Sequence, residues 1–238
     1  MRIISPDRPG VGRSTYRANR QLLDWPPVLR ALADHLGLET FRIMALSGGA
    51  PYALASAWAL SDRIPAIAVV SGAPPLPPDT DQAALFSVYR WLLQIHRKRP
   101  SLIHTIFRVA RPVVTIRPPG WLRDWMLKMT SRADAEVLAR PEVFNRKFEG
   151  YREAWRGSAS GVVTDAEIYA RDWGFPLAGV RVPVRLWHGR DDRNFSWKLA
   201  EQVAGQLPNC TAHFVEGEGH YSLGIRHWKE IPQDLIAV

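Results

Sequence analysis

The chain has 238 residues, 46% of them apolar and 23% charged, and a formal net charge of +8 at pH 7, which suffices for one sizeable core, either a single domain with an insertion or two small lobes. No apolar run approaches the roughly 18 residues of a membrane-spanning helix, and the first residues carry neither the apolar stretch nor the cleavage site of a secretory signal. The single cysteine, Cys210, leaves no internal disulfide and no thiolate metal cluster, so a reducing, cytoplasmic setting is expected.

Residues 2–5 read as the end of a strand, followed by turn chemistry dense in Pro and Gly from Pro6 to Ser14. A helix is expected over 25–35, with Asp24 as its cap, Pro26 in its first turn and Gly37 as its stop. Leu29, Leu32, Ala33 and Leu36 give it one apolar side. A short apolar run over 41–46 has strand length and composition. It meets Ser47, Gly48 and Gly49 at once, and then an Ala/Leu-rich stretch of helical propensity to about residue 61, with Pro51 in its first turn. Strand, sharp turn and helix with a serine at the apex is the physical content of a nucleophile elbow. Small neighbours relieve the strained turn, and the helix N-terminus points its free N–H groups at the serine. A plain Ser-Gly-Gly loop would read the same way locally, and the first glycine of the usual G-x-S-x-G pattern is Ala45 here. The turn alone does not decide. A second buried strand is expected over 66–70.

The pattern breaks at 71–78, where Pro74, Pro75, Pro77 and Pro78 stiffen the chain. From Asp79 to Arg171 the text is helical, with candidate helices over 81–97, 100–110, 120–128, 133–139, 141–157 and 164–171, and a hard break at 117–120. The expected organisation is therefore a core of residues 1–78 and 172–238 and an all-helical insertion of 79–171, with Trp91, Trp121, Trp125 and Trp155 most simply in the insertion's own core and, as the alternative, on the wall of an apolar binding cleft. Basic character is concentrated here: 15 Lys and Arg stand against 6 Asp and Glu between residues 85 and 156. Nucleic acid or an anionic membrane surface would suit that balance. No nucleic-acid motif accompanies it, and arginines spread among Trp, Leu, Ile and Val read more simply as a solvated face. The competing reading is a peripheral membrane binder using residues 81–128. After the insertion a strand is expected over 182–187, a turn over 188–192, a helix over 196–206, a strand over 211–215, a loop over 216–220 and a final helix.

A serine hydroxyl needs a base within hydrogen-bond reach, itself held by a carboxylate, and in a parallel sheet such groups gather at the carboxyl ends of the strands. Three loops of that kind carry Ser47, then Asp191 and Asp192, then His220. The Pro6–Gly10 and Gly12–Ser14 turn, the Leu46–Gly49 turn, the His188–Asp192 turn and the Gly217–His220 loop together resemble, in order and spacing, the α/β-hydrolase family, over all of the chain but residues 79–171. The resemblance implies a mostly parallel sheet flanked by helices, with 79–171 as a helical cap. It implies Ser47 as nucleophile, His220 as general base, Asp192 rather than Asp191 as the acid through the H-G-x-x-D pattern, and the Gly48 N–H in the oxyanion hole. His188 is then structural. No metal or organic cofactor is implied, and the partner is a small-molecule substrate. The resemblance further implies that the chain opens at the family's fourth strand, so that three strands and the loop giving a second oxyanion donor would lie upstream of Met1; either Met1 is a start within a longer product, the favoured reading, or residues 2–5 shift across to pair directly with residues 41–46. The expected activity is hydrolysis of a carboxylic ester of a small or medium apolar or aromatic acid through an acyl-enzyme. An N-terminal peptidase, a C–C bond hydrolase and a non-catalytic, ligand-binding member are the alternatives.

Overall fold

The computed structural model describes residues 2–76 and 80–238; the readings placed on Met1 and on Pro77, Pro78 and Asp79 lie outside the described residues. Four strands form one sheet in the order β1 (Ile43–Leu46), β2 (Ile67–Val70), β3 (Val184–Gly189) and β4 (Cys210–Val215). Every neighbouring pair is parallel, with Ile43 opposite Ile67 and Ile67 opposite Val184. All four carboxyl ends therefore point the same way, and the loops that leave them share one rim.

Side chains alternate across the sheet. Ile67, Val69, Val184 and Leu186 face one cluster, closed by Trp25 of α1 (Trp25–His35), Leu54 and Ala57 of α2 (Ala50–Ala59), and Ala200 and Val203 of α9 (Trp197–Gln206). Ala68 and Val70 face the other, closed by Leu223 of α10 (Ser222–Arg226) and by Ile231 and Leu235 of α11 (Glu230–Ile236). Burial on both faces explains why β2 is an unbroken apolar run. β1 lies at the sheet edge. Its Ala45 turns into the first cluster, while Met44 and Leu46 on the opposite face remain 38% and 51% exposed.

The expected helix over 25–35 is α1, and Gly37 ends it at φ +64°. The Gly37 N–H donates to the Asp34 carbonyl and the Leu38 N–H to the Ala33 carbonyl, so the last turn is satisfied by a left-handed glycine. Asp24 does not cap it. Its backbone is already helical, closing a 3-10 turn over Leu22–Asp24, and its carboxylate accepts from the Gln21 N–H at 2.8 Å instead.

Residues 2–5 are a second correction: they form no strand, and Ile3 is 80% exposed. Two adjacent isoleucines supply β propensity, but without a ladder partner propensity cannot hold a strand. Among the described residues between β2 and β3 lie six α-helices: α3 (Ser87–Lys98), α4 (Pro100–Thr115), α5 (Gly120–Lys128), α6 (Arg132–Leu138), α7 (Pro141–Ala154) and α8 (Ser160–Tyr169). The helix expected from residue 81 begins only at Ser87, because Leu85 is extended and bridges Phe195. α4 runs through Pro112 to Thr115, past the expected stop at 110.

Three of the four tryptophans are a third correction. Trp155 is buried and stacks on Phe107 with ring centroids 5.6 Å apart. Trp91, Trp121 and Trp125 are 50%, 73% and 57% exposed. Leu93 of α3 is buried in a cluster with Leu85, Phe195 and Leu199, and two residues along a helix is about 200°, so burying Leu93 turns Trp91 outward. Finally, the single expected closing helix is two, α10 and α11. No helix among the described residues is long and apolar enough to cross a membrane.

Candidate active site

Ser47 follows β1 directly and opens a 3-10 turn, Ser47–Gly49, that runs into α2. Its φ of +50° lies in the left-handed region, a strained place for a residue with a Cβ. The surroundings hold it there. The Ser47 carbonyl accepts from the Ala73 N–H at 3.0 Å, and the Tyr169 hydroxyl donates to the Gly48 carbonyl at 2.8 Å. A Cβ on residue 48 would meet the Tyr169 hydroxyl oxygen at 2.6 Å, so only glycine lets the phenol in. Ala45 is small enough at the position where the usual pattern has glycine.

His220 leaves the loop after β4, and Asp192 the turn after β3. The structure brings the two together with Ser47. His220 Nε2 is 2.9 Å from Ser47 Oγ, and its Nδ1 is 2.8 Å from Asp192 Oδ2. Asp191 is exposed and contributes a backbone N–H to the Glu218 carbonyl at 2.9 Å. That bond draws the two turns together, and Gly189 leaves the Glu218 carbonyl no Cβ to meet. His188 is buried, its Nε2 2.9 Å from the Phe195 carbonyl and 3.3 Å from Asp192 Oδ2. An Nε2–H there serves both acceptors, a supporting part.

Asp192 is 6% exposed. Oδ1 accepts from the Asn194 and Phe195 N–H groups at 2.7 and 3.0 Å, leaving Oδ2 for the imidazoles. Burial by itself would raise its pKa; the His220 charge and hydrogen bonds from His188 and His220 overcome that and hold the carboxyl well below the usual carboxylate range. The carboxylate thus stays ionised, an acceptor that fixes the proton of His220 on Nδ1 and leaves Nε2 free to receive one from Ser47. Around the ring lie Tyr221 and Phe195, with centroids 4.9 and 5.9 Å away.

A second polar cluster beside the elbow escaped the sequence reading. Asp165 of α8 accepts from Arg8 Nε at 2.8 Å, from the Tyr52 hydroxyl at 2.7 Å and from Arg20. Arg20 and Asp165 are both almost wholly buried. Tyr169, on the same helix, has its phenol held well above the ordinary range by burial and by the Asp165 charge, so it remains a donor to Gly48. One signal was available: Asp165 falls four residues after Gly161 and three before Ile168, on the buried side of its helix. Cys210, at the start of β4, has its thiol pushed up to about 11 by burial. Among the described residues no group of three or more His, Cys, Asp or Glu side chains is placed to hold a metal ion.

The architecture has relatives. A bromoperoxidase from Bacillus anthracis superposes with a TM-score of 0.68 at 19% identity, over 97% of this chain and 79% of that one. A meta-cleavage product hydrolase from Pseudomonas fluorescens gives 0.65 at 15% identity, over 98% and 77% of the two chains, and naproxen esterase from Bacillus subtilis gives 0.59 at 17%, over 91% and 66%. At such identities the likeness is one of fold. In sequence, the (E)-2-((N-methylformamido)methylene)succinate hydrolase of Acinetobacter baylyi is 24% identical over 219 residues, 92% of this chain and 73% of that protein. The sequence pattern of the alpha/beta hydrolase family matches residues 1–231. With that match over nearly its whole length, and a parallel sheet whose carboxyl rim carries Ser47, Asp192 and His220, the chain belongs to the alpha/beta hydrolase family.

Proposed function

We propose that the chain is a serine hydrolase acting on a carboxylic ester of a small or medium apolar or aromatic acid, with residues 79–171 as a cap over the core of 1–78 and 172–238. The observation that carries the reading is the unbroken line from Ser47 Oγ through His220 to Asp192, with links of 2.9 and 2.8 Å. In this mechanism His220 Nε2 takes the Ser47 proton as Oγ attacks the ester carbonyl, and Asp192 stabilises the resulting imidazolium. The Gly48 N–H, at the positive end of α2, receives the oxyanion. His220 returns the proton to the departing alcohol, leaving an acyl group on Ser47. A water, deprotonated by the same Nε2, then releases the acid and restores the hydroxyl. Fluorophosphonate labelling and a panel of p-nitrophenyl esters test this. Labelling and turnover are expected in the native chain and neither in Ser47→Ala; labelling that survives Ser47→Ala refutes the assignment.

A second reading, hydrolysis of an amide or C–C bond in a carboxylate-bearing acid, is favoured by Lys147 of α7. Its ammonium lies over the Tyr221 ring beside His220 and makes no ion pair among the described residues. The Acinetobacter relative is named as a hydrolase of a substituted succinate. Turnover of the p-nitroanilide of succinic acid against p-nitrophenyl butyrate separates the two readings, since only the second requires cleavage of an amide in a carboxylate-bearing acid.

A further inference from the structure

We infer that Asp134, on α6 of the inserted helices, is a positioning residue for the reaction: its carboxylate holds the backbone that carries His220. The inference rests on the Ser47–His220–Asp192 reading above and deepens it. Asp134 is 2% exposed. Its Oδ2 accepts from the His220 N–H at 2.9 Å, and its Oδ1 from the Tyr221 and Ser222 N–H groups at 2.7 and 2.8 Å. A buried carboxylate must be paired or richly hydrogen-bonded, and no cation pairs with this one among the described residues. Three consecutive peptide donors take that role, in charge-assisted bonds stronger than neutral ones.

The approach is close enough to require glycine at the adjoining position. A Cβ on residue 219 would overlap both Ser131 Oγ and the Asp134 carboxylate. The Gly219 N–H is occupied by Ser222 Oγ at 2.8 Å, and Arg226 of α10 reaches Glu136 of α6 at 2.8 Å. The His220 imidazole is thereby fixed at two points. Asp192 holds Nδ1, and Asp134 holds the residue's own peptide nitrogen. Release of the second anchor lets the loop drift while the ring stays tied to Asp192, which carries Nε2 away from Ser47 Oγ. A displacement near 1 Å in such a pair is worth about 100-fold in rate. A mere tether between α6 and α10 would affect stability and leave the imidazole where it is.

The test compares Asp134→Asn, which presents an NH2 to one of the three peptide donors, with Ser131→Ala. Ser131 caps the same helix, accepting from the Asp134 N–H at 3.2 Å, so its loss loosens α6 and spares the carboxylate. Three quantities are read on the full chain: fluorophosphonate labelling rate, kcat and KM on p-nitrophenyl butyrate, and the low-field proton resonance of His220 Nδ1–H, identified by its absence in Asp192→Ala. Asp134→Asn is expected to lose about 100-fold in kcat, with KM little changed and the resonance broadened or shifted. Ser131→Ala is expected to keep kcat and the resonance at a lower melting temperature. If Asp134→Asn retains both kcat and the resonance, or if Ser131→Ala loses them equally, the inference is overturned. If the native chain neither labels nor turns over, the hydrolase reading falls separately, and the resonance alone decides for or against Asp134. Should Asp134→Asn not fold, Asp134→Glu keeps the charge but pushes the loop by one methylene. It is expected to show the same kcat loss, and full activity there overturns the inference.

Discussion

In an Asp192→Asn variant the side chain keeps its shape, and the surrounding donors decide which way the amide turns. Two peptide N–H groups, of Asn194 and Phe195, point at Oδ1 from 2.7 and 3.0 Å. They hold the amide oxygen at that position, so the NH2 occupies the place of Oδ2, 2.8 Å from His220 Nδ1. Nδ1 then faces a donor and becomes the acceptor, and the ring proton moves to Nε2. That nitrogen lies 2.9 Å from Ser47 Oγ and can no longer take its proton. A wrong tautomer with intact geometry costs a serine protease about 10⁴-fold in kcat, or about 5.4 kcal/mol at 1.36 kcal/mol per factor of ten. The assay is the rate of fluorophosphonate labelling at Ser47 together with kcat on p-nitrophenyl butyrate, with Asp191→Asn as the partner variant. Asp191 is exposed and uses only its backbone N–H, toward Glu218, so its variant is expected to keep native activity and to stay within about 0.5 kcal/mol of native stability. An Asp192→Asn chain within tenfold of native, or an Asp191→Asn chain as impaired as Asp192→Asn, refutes the reasoning.

Asp165→Asn removes the counter-charge of Arg20, whose side chain is 2% exposed; breaking one partner of a buried pair costs about 3–5 kcal/mol, read as a shift of the urea midpoint, and a loss below about 1 kcal/mol would contradict it. Because the folded state holds the Asp192 carboxyl below the usual range, its ionisation favours folding. That contribution is whole above the unfolded value of about 3.9 and is lost as pH falls from there toward the folded value. The difference in melting temperature between native chain and Asp192→Asn should therefore be constant above about pH 5 and narrow below about pH 4; a gap that widens on acidification would show the opposite linkage.

What could be read from the sequence was chemistry carried by near neighbours. Gly37 ends α1 because its own φ does, β2 is apolar throughout because both faces are covered, and Ser47 sits on a turn that its adjoining residues permit. The order Ser47, Asp192, His220 was legible because strand ends are legible, and parallel strands deliver their ends to one rim. Residues 2–5 failed as a strand because pairing is a property of two segments, and Ile3 and Ile4 reveal only one of them. Trp91, Trp121 and Trp125 failed for a related reason, while Trp155 is buried as expected. Their size argues for burial, but which side of α3 is covered depends on packing that Leu93 decides, and α5 buries none of its residues.

The partners of Asp134 on α6 and Asp165 on α8 were illegible for the strongest version of that reason. Asp165 is hydrogen-bonded to Arg8, Arg20 and Tyr52, more than 110 positions away in each case, and Asp134 to peptide groups 86 to 88 positions away. No local pattern encodes such partners. Their placement nevertheless follows one logic. The Asp165 cluster, with Tyr169 of the same helix on the Gly48 carbonyl, braces the turn that strains Ser47. The Asp134 carboxylate braces the loop that carries His220. A left-handed serine and an imidazole 2.9 Å from its hydroxyl are thus each tied by side chains of α6 or α8. The inserted helices therefore meet the core at both ends of the Ser47–His220 hydrogen bond.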